Sequence, residues 1–208
     1  MVATCESGHH VMKVVVVFAH PSPRSFTAAI CRTAVAALAR VGHEVVLMDL
    51  YADKFVAQMS REERLAYVTD SPILDPLVER YAAQLVLAEG LVLIYPTWHG
   101  SFPAILKGWF ERVFVPGVGW ALDPVTNKAS SGLLSARRVV GVSTYGSSRL
   151  HTMRLSDAGR RVIMRNIRFL APKATCRAQW LGIYGLDRSD PKHTERFLAK
   201  VDDAMAHL

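Results

Sequence analysis

Three short segments hold most of the residues able to do chemistry: HPSPRSFT at 20–27, PTWHG at 96–100 and STYGSSR at 143–149. The first offers the hydroxyls of Ser22, Ser25 and Thr27, the imidazole of His20, the charge of Arg24, and the amides of a following helix, with Phe26 among them. That set can hold a phosphate. The second sets two flat rings, Trp98 and His99, between Pro96, Thr97 and Gly100. A planar heterocycle needs stacking faces and nearby backbone donors, and glycine lets backbone come close. The third supplies amides and a phenol from Thr144, Tyr145 and Gly146. Each segment alone also fits a plainer description: a capped loop, a loop aromatic packed on a helix, a solvent-facing histidine, a Gly/Ser turn. Their coincidence favours chemistry, and that coincidence depends on the elements between them.

Each segment follows a strand-like run. VVVVFA at 14–19 and LVLIYP at 91–96 are continuous and apolar, as strands covered on both faces must be. RRVVGVS at 137–143 leads into the third segment, and EVVLMDL at 44–50 and TCRAQWLGIY at 175–184 complete five strands. An alanine-rich helix follows Ser25 as N-cap and stops at Gly42. Ser60 and Glu63 have capping-box spacing for a short helix. Further helices are expected over 75–90, from Pro103 through 115, over much of 156–170, and from Pro191 behind the N-cap Asp190. Residues 116–135 read as a long loop.

Strands alternating with helices imply a parallel sheet with helices on both faces. A Rossmann order usually carries a glycine fingerprint after the first strand, and 20–25 has no glycine. The expected architecture is therefore a flavodoxin-like three-layer α/β sandwich, strand order 2-1-3-4-5, with ligands at the crevice between strands one and three. All three segments then open at one sheet edge. Residues 1–11 read as a flexible extension and 12–208 as one domain.

The chain has 208 residues, is 50% hydrophobic, and carries a formal charge of +7. A full core and anionic partners, such as phosphorylated cofactors, fit that balance. Cys5, Cys31 and Cys176 are odd in number and lack metal-ligand spacing, which points to a reducing compartment. With no secretory pattern and no bilayer-length apolar run, a cytoplasmic location is expected. The arginines at 154, 160, 161, 165 and 168 read as a solvated helix face rather than a nucleic-acid site. Trp109, Phe110, Phe114 and Trp120 make more aromatic surface than one helix face usually buries within a monomer, which predicts a homodimer.

FAHPSPRSF together with YPTWHGSFPAILKGWFERVF, PGVGW and VSTYGSS resembles the flavodoxin-like NAD(P)H:quinone oxidoreductase family, the DT-diaphorase type and its bacterial relatives. The resemblance runs from Met12 nearly to the end. It implies a bound flavin, FAD or FMN, two-electron transfer from NAD(P)H to a quinone-type acceptor, and a homodimer. By position it implies that His20, Ser25, Phe26 and Thr27 hold the flavin phosphate end. Pro96, Thr97, Trp98, His99 and Gly100 would line the isoalloxazine, and Thr144, Tyr145 and Gly146 its pyrimidine side. His99 and Tyr145 are the candidates for chemistry. Relatives often carry a second aromatic where His99 stands, so this chain adds a titratable imidazole there. Some members of the family activate a potassium-efflux channel. A flavin-binding regulatory subunit, touching the membrane only in that role, is therefore the alternative.

Overall fold

A computed structural model describes residues 10–123, 125–126, 128–131, 135–155, 157–167 and 176–208. In chain order the elements are β1 (Lys13–Phe18), α1 (Phe26–Arg40), β2 (Glu44–Asp49), α2 (Arg61–Ala66), α3 (Pro76–Val86) and β3 (Gly90–Pro96). They continue with α4 (Ala104–Val113), β4 (Trp120–Leu122), β5 (Ala129–Ser131), β6 (Arg138–Thr144), α5 (Arg149–Arg154) and α6 (Ala158–Arg161). A π-helical run, Val162–Ile167, prolongs α6, and β7 (Arg177–Ile183) and α7 (Pro191–Ala206) close the described chain. Five strands form one parallel sheet in the order β2-β1-β3-β6-β7. This is the flavodoxin-like order read from the sequence, since β4 and β5 pair only with each other.

The alternation of side chains across the sheet builds two cores. Val15, Val17, Leu91, Leu93, Tyr95 and Val139 face α3, α4 and the π-helical run. Val14, Val16, Val92, Ile94, Val142 and Leu181 face α1 and α7. The helix starts follow local chemistry. Ser25 accepts from the Ala28 amide, Asp190 from His193, and Ser60 and Glu63 form a complete capping box. Gly42 ends α1 at φ 90°.

The structure corrects two expectations. Residues 116–135 are not simply a loop, because β4 and β5 form a small antiparallel pair within them. The aromatic residues of α4 are not surplus surface: Trp109 is fully buried and Phe114 6% exposed, and they pack edge-on to each other and to Phe110. The Trp120 indole donates to the Phe114 carbonyl. Trp109 and Phe114 therefore give no reason for a dimer, and Phe110 and Trp120 are half-buried. Of the extension read at 1–11, residues 1–9 lie outside the described residues, as do Ser156, Arg168 and Thr175.

A buried ion cluster ties α4 to the crossover after β2. Arg112 donates through Nε and Nη2 to Glu63 Oε1 (2.9 and 2.6 Å) and through Nη2 to Asp75 Oδ2 (2.8 Å). Gly108 makes the close approach possible, since a Cβ there would lie 2.2 Å from the Ala57 carbonyl oxygen. Opposite the three functional loops, Leu208 packs beside Gly90 and its carbonyl accepts from Arg138 Nε at 2.7 Å. The end of α7 thus lies at the sheet edge where β1 begins.

Candidate active site

Register sets the loops side by side. β3 and β6 pair Tyr95 with Ser143 and Pro96 with Thr144, so the second and third loops leave the sheet at one level. The Thr97 amide extends the pairing to the Thr144 carbonyl (2.9 Å). Pro96 and Thr144 are buried beneath the loops. Trp98 and Ser101 exchange both backbone hydrogen bonds around His99 and Gly100, whose φ values are 48° and 71°. Two consecutive positive φ values make a tight primed turn. Histidine tolerates that region better than a bulkier aromatic does. Loop two therefore holds His99 exposed at its tip and Trp98 42% exposed beside it.

Between loops two and three lies a cleft of about 460 Å³ lined by Thr97, His99, Gly100, Tyr145, Gly146, Ser147, His151, Thr152, Leu155 and Asp157. Five of these are site residues expected from sequence. Asp157 and His151 are additions. Asp157 is the N-cap of α6, accepting from the Arg160 amide, and its Oδ2 accepts from the Tyr145 hydroxyl at 2.6 Å. The sequence signal was an Asp before Ala-Gly, obscured by starting that helix two residues early, at 156 instead of Ala158. The Ala158 amide donates to the Gly100 carbonyl, which joins α6 to loop two.

Tyr145 is only 3% exposed and stacks on Tyr184 at 4.4 Å between ring centroids. Burial pushes its phenol far above the ordinary range, and the neighbouring Asp157 carboxylate adds to that shift. Its proton stays on the phenol. Thr97 Oγ1 lies 2.7 Å from Ser143 Oγ, which fixes the threonine side chain from below.

The first loop stands next to this cleft rather than in its wall. His20 and Trp98 rings are 6.3 Å apart, and Thr27 Oγ1 lies 3.3 Å from Thr144 Oγ1. His20 Nδ1 accepts from the Ser22 amide at 2.9 Å. Burial lowers its pKa, so the ring is neutral at pH 7 and carries its proton on Nε2. Ser25 caps the Ala28 amide, while the amides of Phe26 and Thr27 have no partner among the described residues. Those amides begin a 15-residue helix, which suits an anion. Phe26 is half-buried and packs against Phe197 of α7 (6.5 Å).

Several known proteins resemble this chain to different extents. A ribosyldihydronicotinamide dehydrogenase-like protein of Penicillium crustosum is 34% identical over 161 residues, covering 67% of this chain and 60% of that protein. NAD(P)H dehydrogenase (quinone) 1 of Cavia porcellus is 30% identical over 157 residues, covering 68% and 56%. The chain thus spans less than two thirds of the length of these relatives. The structure of an NAD(P)H:quinone oxidoreductase from Methanothermobacter marburgensis superposes with a TM-score of 0.77 at 24% identity, covering 95% of this chain and 97% of that one. A family profile described as flavodoxin-like fold matches residues 12–207. The crevice expected between the first and third strands is found instead between the loops after β3 and β6. With the strand order and nearly the whole chain accounted for, this protein belongs to the flavodoxin-like fold family.

Proposed function

We propose that the protein is a flavin-dependent oxidoreductase that passes two electrons from NADH or NADPH to a quinone or a similar acceptor. The observation that carries this reading is adjacency. The cleft between loops two and three lies next to the open amides of α1, linked by His20–Trp98 and Thr27–Thr144. A planar ring and a phosphate attached to it have neighbouring places. The names of the similar proteins agree with this chemistry.

In this reading the Nε2 proton of His20, the Ser25 hydroxyl and the Phe26 and Thr27 amides hold the phosphate. Trp98 and Gly100 shield the isoalloxazine with Pro96 and Thr97 behind. Thr144, Tyr145 and Gly146 bound its pyrimidine side. When bound, the flavin supplies hydride acceptance and donation. Backbone donors of the third loop would stabilise negative charge arriving there. Tyr145 holds its proton against Asp157 and acts by position, whereas His99 presents an exposed ring on the cleft.

A groove lined by Tyr184, His193, Arg196, Phe197 and Lys200 favours FAD over FMN. It adjoins both Phe26 and Tyr145 through the ring pairs Phe26–Phe197 and Tyr145–Tyr184. Its cations suit a second phosphate. A homodimer is also proposed, on a different surface from the one first read: Leu150, Met153 and Leu155 stand 73%, 61% and 65% exposed on or just after α5, beside the cleft. Light scattering should report twice the 23.0 kDa chain mass.

Heat release and chromatography of the purified protein should yield FAD. Anaerobic NADH or NADPH should then bleach the flavin, and a quinone should restore its colour. Protein that takes up neither FAD nor FMN overturns the cofactor reading. A flavin that reduced nicotinamide does not bleach overturns the enzyme reading in favour of the regulatory one.

A further inference from the structure

We propose that Asp157 determines the specificity of the cleft: its carboxylate, fixed by Tyr145, favours ligands that are neutral or present N–H or O–H donors and disfavours ligands carrying an anionic group. The inference rests on the proposed function in one respect, that the acceptor enters the part of this cleft left open beside the flavin ring.

Among the described residues, Asp157 is the sole carboxylate lining the cleft, and no lysine or arginine lines it. Among the described residues it makes no ion pair. Its orientation is set from two sides. Oδ2 accepts from the Tyr145 hydroxyl at 2.6 Å and Oδ1 from the Arg160 amide at 3.2 Å. A carboxylate offers about four acceptor positions, so roughly two remain for a ligand. Tyr145 cannot swing away, because Tyr184 stacks on its face and Trp180 meets it edge-on at 6.5 Å. Nor can it pass its proton onward, since burial and Asp157 raise its pKa. The pair is a fixed acceptor bearing one negative charge. The other titratable groups lining the cleft are His99 and His151, and the Asp187 carboxylate lies against Gly146 at its border.

The positive charge of the chain as a whole would draw anions to its surface, yet the cleft wall itself carries the opposite sign. A unit charge several ångströms from a bound sulfonate, at the effective dielectric of a partly open site, changes affinity on the order of tenfold. Discrimination by repulsion is a general route to specificity.

The test uses the full chain as purified and a matched pair of quinone probes without a leaving group at the reactive ring, 2-(hydroxymethyl)anthraquinone and anthraquinone-2-sulfonate, at about pH 8.5, above the ordinary histidine range. Binding is read from quenching of tryptophan fluorescence and turnover from kcat/KM. The wild type is expected to bind the sulfonate on the order of tenfold more weakly than the neutral quinone. Asp157→Asn should remove most of that ratio. Asp157→Glu and Tyr145→Phe, which keep the charge, should retain it. For the wild type alone, added KCl should tighten binding of the sulfonate and leave the neutral quinone unchanged. An equal ratio in wild type and Asp157→Asn, or salt that weakens sulfonate binding, overturns the proposal. If a variant fails to fold, the wild-type salt series still decides. Because fluorescence reads binding without flavin or turnover, failure of the redox reading would show separately, as a colourless or inactive protein that still discriminates.

Discussion

Two carboxylate sites in this molecule solve one problem in opposite ways. Around Arg112, Glu63 and Asp75 meet a cation, and the side chains of Arg112 and Glu63 are only 4% and 9% exposed. In the cleft, Asp157 meets a phenol and stays half-buried. Burial by itself would push the Glu63 and Asp75 carboxyls up. Hydrogen bonds and charge from Arg112, with help from the Ser60 cap and the Leu77 and Val78 amides, more than offset that and hold both below the usual range. The same cluster raises Arg112. Charge that is fully matched inside the protein holds segments together. Charge that is matched only by a neutral hydroxyl remains available to a ligand.

Breaking the closed site should have the largest effect. Arg112→Met leaves two carboxylates facing a buried gap and is expected to cost about 3–5 kcal/mol in urea unfolding. The pH dependence follows with a definite sign. Lowered folded-state pKa values mean that Glu63 and Asp75 contribute stability above their ordinary range near about pH 4 and lose it as pH falls through the lowered values. The urea midpoint of the wild type should therefore drop across that acidic window, and Arg112→Met should flatten the drop. An equally steep drop in the variant would mean that other carboxylates dominate.

Gly108→Ala attacks the same region by crowding rather than by charge. Its methyl would meet Ala57 backbone, and a loss of about 1–3 kcal/mol is expected from the same measurement. The open site should be far more tolerant. Tyr145→Phe removes one hydrogen bond to a carboxylate that solvent can still reach, so about 1 kcal/mol is expected. A loss as large as that of Arg112→Met would erase the contrast between the two sites. The smallest effect belongs to the loop tip: His99→Gly relieves a positive φ and should stabilise the fold by up to about 1 kcal/mol. Should it destabilise instead, His99 makes contacts that outweigh its backbone strain.

The fold was legible because its signals are local. Unbroken valine runs, an alanine helix after Ser25, and the Ser60–Glu63 spacing each act within a few residues. The cleft was legible in part: of the eight residues expected on loops two and three, Thr97, His99, Gly100, Tyr145 and Gly146 line it, while Pro96, Trp98 and Thr144 do not. Asp157 was not, because its meaning comes from Tyr145 and the Gly100 loop being folded against the start of α6, and His151 joins the cleft only through the placement of α5. The Arg112 cluster joins residues 49 and 37 positions apart, a distance no helical or strand periodicity spans. The pairing of β4 with β5 depended on cross-strand partners within a stretch of mixed polarity. The aromatic residues of α4 misled for a related reason: burial against the other turns of the chain is invisible in a single helix face.

The contact of Leu208 with Gly90 and Arg138, beside the start of β1, has a practical use. Both Lys13 and Leu208 lie at the sheet edge remote from the cleft. A tether fixed near either position would present the cleft outward, so the protein can be mounted on an electrode or a sensor chip by that face with its ligand entrance facing solution.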